Sequence, residues 1–251
     1  IQPKGHYMVL GDIDLTGGIN NQYRFGSDNM PFEGKIDFNG HRVIKDLKNT
    51  NQLIICKTSK NAVIENIVVE LYINNEIEKG IVGAIVYNNY GVLNNIQIQV
   101  KQCSRKENTE IGLIAINNFG TINNFYIKLE APLYGDKNIG TACLNNFGIV
   151  KNGYIYGQDI YITNKATSNK NVGGIVSANN DDGVVENVYA TIKVNFIEEK
   201  KDGTVGNIVG LNRDRSIVRN CYTYESGEKN ISGNGPGIGN SYNAAIAENI
   251  Y

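Results

Sequence analysis

The sequence predicts an all-β fold, a right-handed parallel β-helix of about seven coils with an N-terminal cap. Three observations predict it. A Val/Ile-Gly motif recurs about every 30 residues, an asparagine follows each copy, and apolar residues alternate with polar ones around that asparagine. Repeats of this length without helical periodicity exclude helical solenoids, and they are too short for propeller blades.

The Val/Ile-Gly motif defines the first column of the repeat. Its copies occupy residues 82–86, 111–115, 139–143, 172–176 and 205–209, with a degenerate copy at 238–242. Between each asparagine and the next motif the sequence is variable and polar. This pattern predicts loops at 101–110, 158–171 and 198–203.

The asparagines form a second column, and its members, the anchor asparagines, are 28 to 35 residues apart. They are Asn66, Asn95, Asn124, Asn152, Asn187, Asn220 and Asn249. Apolar residues at one and three positions after each anchor indicate a strand, but the alternation slips at the anchor itself, which predicts a bend. Asparagine tolerates the left-handed conformation that a bend requires. Coils stacked about 4.8 Å apart would place the anchors in an internal ladder of amides, each one donating and accepting.

The composition agrees with such a stack and excludes several classes of protein. The 251 residues include 38 Asn and 34 Ile, so polar turn residues and β-branched core residues are both abundant. The formal net charge of -1 argues against a polybasic nucleic-acid binder and against an acidic tail. No apolar run reaches the about 18 residues of a membrane span.

The first 60 residues differ from the repeats. Residues 7–15 read as one strand, and residues 32–47 read as two strands joined by the turn Asn39-Gly40. A solenoid needs its open end covered, so we predict that residues 1–60 form the cap and residues 61–251 one continuous β-helix. Because the chain begins at Ile1 without an initiator methionine or a signal peptide, we expect it to be a piece of a longer protein.

Metal-dependent catalysis has little support in the sequence. The only histidines are His6 and His41, and neither belongs to a His-Glu-x-x-His motif. Two isolated histidines do not make a zinc site without further ligands. We therefore predict no catalytic and no metal-binding residues in this segment, and a structural role for His41 in the cap.

Three acidic residues lie in matching turns of neighbouring repeats. Asp181 and Asp182 share one turn and Asp214 lies in the next, so they could together bind a cation or serve a polysaccharide lyase. The alternative is that they are solvated turn residues paired with Arg213 and Arg215.

A column of tyrosines lies two positions after the anchors, where strand alternation predicts an outward orientation. We name it the tyrosine column, and its members are Tyr126, Tyr154, Tyr189, Tyr222 and Tyr251. They are the predicted binding residues, as a platform for a sugar chain or a protein partner. Two alternatives remain open, a self-stabilising aromatic ladder and a surface covered by another domain.

The four cysteines do not suggest a disulfide framework. Cys143 and Cys221 fall in apolar columns more than one coil apart, which predicts small core residues. Cys103 falls in a predicted polar loop. A glycosylation sequon at residues 230–232 is expected by chance in a chain so rich in asparagine.

Two segments carry a resemblance to known families. Residues 32–47 resemble the F-x-G-x-x-D-G-N-G-H-x-I-x-x-L opening of bacterial surface β-helices, with Phe38 in place of the usual glycine. The Val/Ile-Gly-x-Ile-Val copies resemble the GLUG repeat of secreted and cell-wall proteins. With residues 11–15 and 61–67, their order is similar to the non-catalytic N-terminal region of the IgA1-specific zinc metallopeptidases. That family's zinc-binding helix is not in this segment, so the resemblance implies zinc only elsewhere in the parent protein.

The leading functional prediction is therefore a non-catalytic scaffold or substrate-recognition domain of a secreted or cell-surface bacterial zinc metallopeptidase. The resemblance implies as partner a host glycoprotein such as an immunoglobulin, or the parent's own catalytic domain. From the charge balance and the lack of a long apolar run we expect no nucleic-acid partner and no membrane span in this segment. Two alternatives are an adhesin-type surface β-helix and a polysaccharide lyase or hydrolase.

Overall fold

The structure is a computed structural model. It describes residues 2–17, 25–47, 53–74, 80–104, 109–162, 170–196, 203–223, 237–241 and 245–251. Within these ranges the chain forms β-strands and no helix, and the strands stack into a β-solenoid of about seven turns. Every pair of neighbouring strands in the described ranges is parallel, which confirms the predicted fold class.

Four sheets form the faces of the solenoid. The wide sheet contains β1 (His6–Met8), β2 (Ile13–Asp14), β3 (Lys35–Asp37), β4 (Arg42–Leu47), β6 (Val63–Ile73), β9 (Val92–Cys103), β12 (Thr121–Leu129), β16 (Ile149–Gly157), β20 (Val184–Ala190), β24 (Ile217–Thr223) and β26 (Ile246–Ile250). The asparagine sheet contains β5 (Ile55–Lys57), β8 (Val86–Asn89), β11 (Ala115–Asn118), β15 (Cys143–Asn146), β19 (Val176–Asn179), β23 (Val209–Asn212) and β25 (Ile238–Ser241).

The two remaining sheets are smaller. The glycine sheet contains β7 (Gly80–Val82), β10 (Thr109–Ile111), β14 (Ile139–Gly140), β18 (Asn171–Gly173) and β22 (Thr204–Gly206). The short sheet contains β13 (Leu133–Gly135), β17 (Ile160–Ile162) and β21 (Val194–Phe196). One coil thus passes through the glycine sheet, the asparagine sheet and the wide sheet in turn, and the next coil repeats this order.

The inward columns form one continuous apolar core. In β6 the alternating residues Ile67, Val69 and Leu71 are fully buried, and the Val/Ile-Gly motif contributes Val82 and Ile85 in the same way. Burying such a side chain contributes about 1.5–3 kcal/mol relative to leaving it exposed, so each coil is stabilised by the coils beside it.

Neighbouring coils also adjust to each other in side-chain size. Phe125 and Gly153 are paired across β12 and β16 in an inward column. A side chain at Gly153 would collide with the ring of Phe125, so the glycine leaves the space that the ring fills.

The predicted bend at the anchor asparagines is confirmed. All seven anchors have a positive φ between 50° and 58°, and Asn39 has the same conformation in the coil before them. Asparagine adopts this left-handed conformation at a lower cost than most residues, which explains its repeated use at one point of each coil.

The first 60 residues join the stack directly. β3 and β4 both pair in parallel with β6, and the turn between them has positive φ at Asn39 and Gly40. β1 and β2 extend the sheet by pairing with β3 and β4. The capping role of residues 1–60, their boundary with the repeats, and the right-handed winding stay predictions.

Two sequence predictions about loops are wrong. The predicted loop 158–171 contains β17, whose Ile160 and Ile162 are fully buried, and Cys103 ends β9 with 9% of its surface exposed. In both places polar residues flank a short alternation of apolar residues, so the sequence pattern there resembled a loop. Residues 105–108, 163–169 and 198–202 of the predicted loops, like the sequon at 230–232, lie outside the described residues.

One of the buried polar residues is a lysine on the wide sheet. Lys45 points into the solenoid from β4 and is fully buried, and its ammonium group donates a hydrogen bond of 2.9 Å to the carbonyl oxygen of Ala84. A buried lysine needs such partners to offset its desolvation.

Candidate functional site

The anchor asparagines do form a ladder, but it lies on the outside of the solenoid. Most of their side chains are exposed, so the prediction of an internal ladder is wrong. For the six anchors from Asn66 to Asn220, the residues that point inward are two positions before and one position after the anchor. Two consecutive outward residues must therefore lie between them, and the anchor is the second. We call this column the outer ladder.

The outer ladder is irregular. The amide of Asn95 donates to the side-chain oxygen of Asn66 at 2.6 Å, whereas the next step, from Asn124 to Asn95, is 3.5 Å. Asn152 donates at 2.9 Å to Asn123 instead of the anchor Asn124, so the column breaks at this point.

A second ladder occupies the interior, and the sequence analysis missed it. It consists of one asparagine from each Asn-Asn turn or its equivalent in the asparagine sheet, all fully buried. The members of this inner ladder are Asn89, Asn118, Asn146, Asn179 and Asn212. Each amide donates to the side-chain oxygen of the following member at 2.7–2.9 Å. The signal was present as the Asn-Asn pairs at 88–89, 117–118, 145–146 and 179–180.

Backbone groups complete the hydrogen bonds of the inner ladder. Asn146, for example, also donates to the carbonyl oxygens of Gly148 at 3.1 Å and Val184 at 3.2 Å. The hydroxyl of Thr58 donates to the oxygen of Asn89 at one end, and the hydroxyl of Ser216 donates to that of Asn212 at the other. The interior polar column is therefore fully paired, as burial requires.

The tyrosine column faces outward on the wide sheet, as predicted. The exposed fraction rises along the column, from half-buried Tyr126 and Tyr154 to 39% at Tyr189, 48% at Tyr222 and 70% at Tyr251. The rings of Tyr154 and Tyr189 are stacked, with centroids 4.7 Å apart and an interplanar angle of 2°. The geometry of this pair is therefore that of a self-stabilising aromatic ladder, one of the two alternatives to a binding platform.

The column begins with a different arrangement. Tyr126 meets Tyr154 edge to face at 71°, and its hydroxyl is hydrogen-bonded to that of Tyr156, which sequence reasoning missed. Tyr156 lies two residues after Tyr154, so the same alternation predicts its outward position. This hydrogen bond raises the pKa of Tyr126, and desolvation raises the pKa of Tyr154, so both hydroxyls stay protonated at neutral pH.

Another aromatic stack lies at the turns between the asparagine sheet and the wide sheet. The centroids of Tyr90 and Phe119 are 4.6 Å apart at 9°, and those of Phe119 and Phe147 are 4.9 Å apart at 8°. The ammonium of Lys57 lies 5.5 Å from the centroid of Tyr90, a cation–π contact. We call these three rings the turn stack.

The acidic turn residues are paired with arginines. Arg215 donates two hydrogen bonds of 2.8 Å to the carboxylate of Asp182, which hold the pKa of Asp182 below its usual value, and Arg213 lies 3.3 Å from Asp214. Asp181, Asp182 and Asp214 all have left-handed backbones that suit a turn. The part of the chain that the structure describes contains no group of three His, Cys, Asp or Glu able to hold a metal ion.

His41 lies beside an ion-pair network at the N-terminal end. Its Nδ1 is 3.6 Å from the carboxylate of Asp12, and Arg42 bridges Asp12 and Glu70. The backbone N–H and then the guanidinium of Arg42 lower the pKa of Asp12. This placement agrees with a structural role for His41.

The cysteine predictions are confirmed for two core positions. Cys143 and Cys221 are buried and free, and burial raises the pKa of both thiols, that of Cys221 to about 11. Thiols that stay protonated are poor nucleophiles.

Comparison of the chain with protein-family models, with curated proteins and with solved structures gave no match. The described residues contain no helix long and apolar enough to cross a membrane. The outward surfaces of the solenoid are therefore the candidate functional surfaces.

Proposed function

We propose that the chain is a non-catalytic recognition domain of a larger secreted or cell-surface bacterial protein, by resemblance a zinc metallopeptidase. In this proposal the tyrosine column contacts a host glycoprotein such as an immunoglobulin. The observation that supports it is the outward tyrosine column, in which Tyr189 is 39% exposed and Tyr222 is 48% exposed.

The scaffold makes these rings effective contact groups. Apart from Tyr251, which follows the end of β26, each tyrosine lies on a parallel strand whose backbone is paired with the coils on either side. A side chain held in place before binding loses little conformational entropy on contact. Tyrosine combines an apolar ring with a hydroxyl, which is why it is enriched at binding hot spots.

The enzymatic alternative has less support from the described residues. A lyase or hydrolase needs carboxylates that are free to exchange protons or to hold Ca²⁺. Asp182 and Asp214 are instead ion-paired with Arg215 and Arg213. An adhesin could use the same coils to present its loops.

The proposal is tested with immunoglobulin A1 immobilised on a biosensor and the chain in solution. The double variant Tyr154→Ser with Tyr189→Ser is expected to weaken binding about tenfold or more, because truncating a hot-spot ring costs about 1–2 kcal/mol or more. The matched control is Phe119→Ser with Phe147→Ser, which removes two stacked rings from the turn stack on another edge of the solenoid.

The outcomes separate recognition from stability. Weaker binding by the tyrosine variant alone, with equal melting temperatures for both variants, supports the contact surface. Unchanged affinity of the tyrosine variant would contradict the proposal that the tyrosine column is a contact surface. Loss of melting temperature without loss of affinity assigns the tyrosine column to a structural ladder.

A further inference from the structure

We propose that a depression at the N-terminal end of the tyrosine column is a subsite for one neutral sugar residue of a glycan. This inference depends on the proposed recognition function and names the chemistry that the surface takes. The depression has a volume of about 300 Å³, at the lower end of the range for small-molecule sites. It is lined by Asn95, Ile96, Gln97, Asn124, Tyr126 and Tyr154.

One side-chain amide at the depression, that of Gln97, has no partner within the described ranges. Gln97 occupies the position that tyrosine has in the following coils, next to Tyr126 on the neighbouring strand. Within the described ranges no group is hydrogen-bonded to its side chain. A primary amide that is held at a depression and not paired within the protein is ready to bind a ligand.

The outer ladder breaks at the depression. Because Asn152 donates to Asn123, the side-chain oxygen of Asn124 receives no hydrogen bond from the next coil in the described structure. Asn124 and Gln97 thus offer an acceptor and a complete amide to the same depression. Adjacent hydroxyls of a sugar each donate and accept, which matches these groups.

The ring of Tyr126 has aromatic neighbours on one side only. The ring contacts of Tyr126 are to Tyr154 and Tyr156, both in the following coil, and Gln97 lies on its other side. Elsewhere in the column the rings of Tyr154 and Tyr189 are stacked at 2°, so each covers one face of the other. The electron-rich face of an aromatic ring attracts the weakly positive C–H groups of a sugar ring.

The charge of the depression selects among sugars. None of its lining residues is charged, so an acidic sugar would lose hydration without gaining a counter-ion. A neutral pyranose, including an N-acetylhexosamine whose acetamide can pair with the free amides, fits this surface.

The experiment follows the side-chain NH₂ signals of the ¹⁵N-labelled chain by NMR while methyl β-galactoside or N-acetylglucosamine is added to high millimolar concentration. We expect saturable shifts of the Gln97 and Asn124 signals. Gln97→Tyr extends the tyrosine column into the depression and should abolish the shifts of Asn124, and Tyr126→Ala should weaken binding at least tenfold. The matched control Gln99→Tyr adds the same ring at the next outward position of β9 and should leave the shifts intact.

Several results would overturn the subsite. They are the absence of saturable shifts in the parent chain, persistence of the Asn124 shifts in Gln97→Tyr, and equal or tighter binding of N-acetylneuraminic acid. Unchanged backbone spectra of Gln97→Tyr and Gln99→Tyr exclude misfolding as the cause of any loss.

The failure of this inference can be distinguished from failure of the proposed function. If immunoglobulin binding survives both enzymatic removal of its glycans and Gln97→Tyr, yet is lost in the Tyr154/Tyr189 variant, the recognition surface stands and the sugar subsite is wrong. If the sugars bind and the immunoglobulin does not, the subsite stands and the proposed partner is wrong.

Discussion

The inner and outer ladders use the same residue at the same repeat length, and only one of them is regular. The inner ladder runs from Asn89 to Asn212 with every step between 2.7 and 2.9 Å. The outer ladder has steps from 2.6 to 3.5 Å and skips one anchor. Inside the solenoid an unpaired amide costs about 1–3 kcal/mol, whereas outside it water replaces a lost partner.

The difference shows that asparagine has two separate roles in this fold. In the inner ladder its amide supplies hydrogen bonds that nothing else in the core can supply. In the outer ladder its backbone supplies the left-handed bend, with φ of 50° to 58°, and the amide contacts are secondary. Substitutions that remove one property at a time test this assignment.

The largest effect is expected for Asn146→Ala in the inner ladder. This substitution removes bonds to Asn118, Asn179 and two backbone carbonyls, so the free energy of unfolding should fall by about 3 kcal/mol. Urea denaturation of the purified chain measures it. The matched control is Asn145→Ala, one residue away and half-buried with a single amide partner, which should cost less than about 1 kcal/mol. Equal losses for the two variants would contradict the distinction between buried and exposed amides.

An intermediate effect is expected at the outer anchor Asn187, which has φ 53°. Asn187→Ala should lower the free energy of unfolding by about 1 kcal/mol, because alanine lacks the short polar side chain that lets asparagine tolerate the left-handed conformation. Asn187→Gly removes the same amide but tolerates the bend, so its stability should stay close to that of the parent chain. If glycine is as harmful as alanine, the amide contact and not the bend is what Asn187 contributes.

The smallest effect is expected at the N-terminal end of the outer ladder, where Asp37 takes the place of an asparagine. The amide of Asn66 donates to its carboxylate at 2.9 Å, and this bond is the largest of the influences that lower the pKa of Asp37. A lowered pKa means that the contribution is complete above the unfolded value of about 4 and is lost as pH falls through the lower folded value.

NMR of the Asn66 side-chain amide between pH 5 and pH 2 follows this transition. The amide signal should move as Asp37 is protonated in the parent chain. In Asp37→Asn, whose oxygen accepts the same bond at every pH, it should stay in place. A signal that moves equally in both chains would assign the change to another group.

The sequence predicted the fold because inward columns are a direct consequence of strand alternation. Ile67 and Val69 identify the core face without reference to any neighbour, and the repeat spacing then implies stacking. The outward orientation of the tyrosine column was predicted from the same alternation. The outward position of Tyr156 could have been predicted in the same way. The interior position of the anchors was wrong because two consecutive outward residues, such as Asn123 and Asn124, break the alternation that the prediction assumed.

The inner ladder was harder to predict because it depends on the turn and not on the strand. Asn89 and Asn118 precede turn glycines, and such pairs are common in solvated turns. Their burial is set by the neighbouring coils, whose contacts a single repeat does not contain. The turn stack of Tyr90, Phe119 and Phe147 was not predicted for the same reason.

Each inner asparagine gives its amide hydrogens to the coil ahead and offers its oxygen to the coil behind, so every interior member presents the same two faces. A coil copied in tandem between Asn118 and Asn146 would therefore meet complementary groups above and below, and no polar atom would be orphaned. Gene duplication could lengthen this solenoid one coil at a time without compensating mutations in the interior. The ends are different, since the hydroxyl of Thr58 donates to the oxygen of Asn89 at one end and the amide of Asn212 donates to the backbone carbonyl of Ile246 at the other. Growth by duplication would have to occur between them.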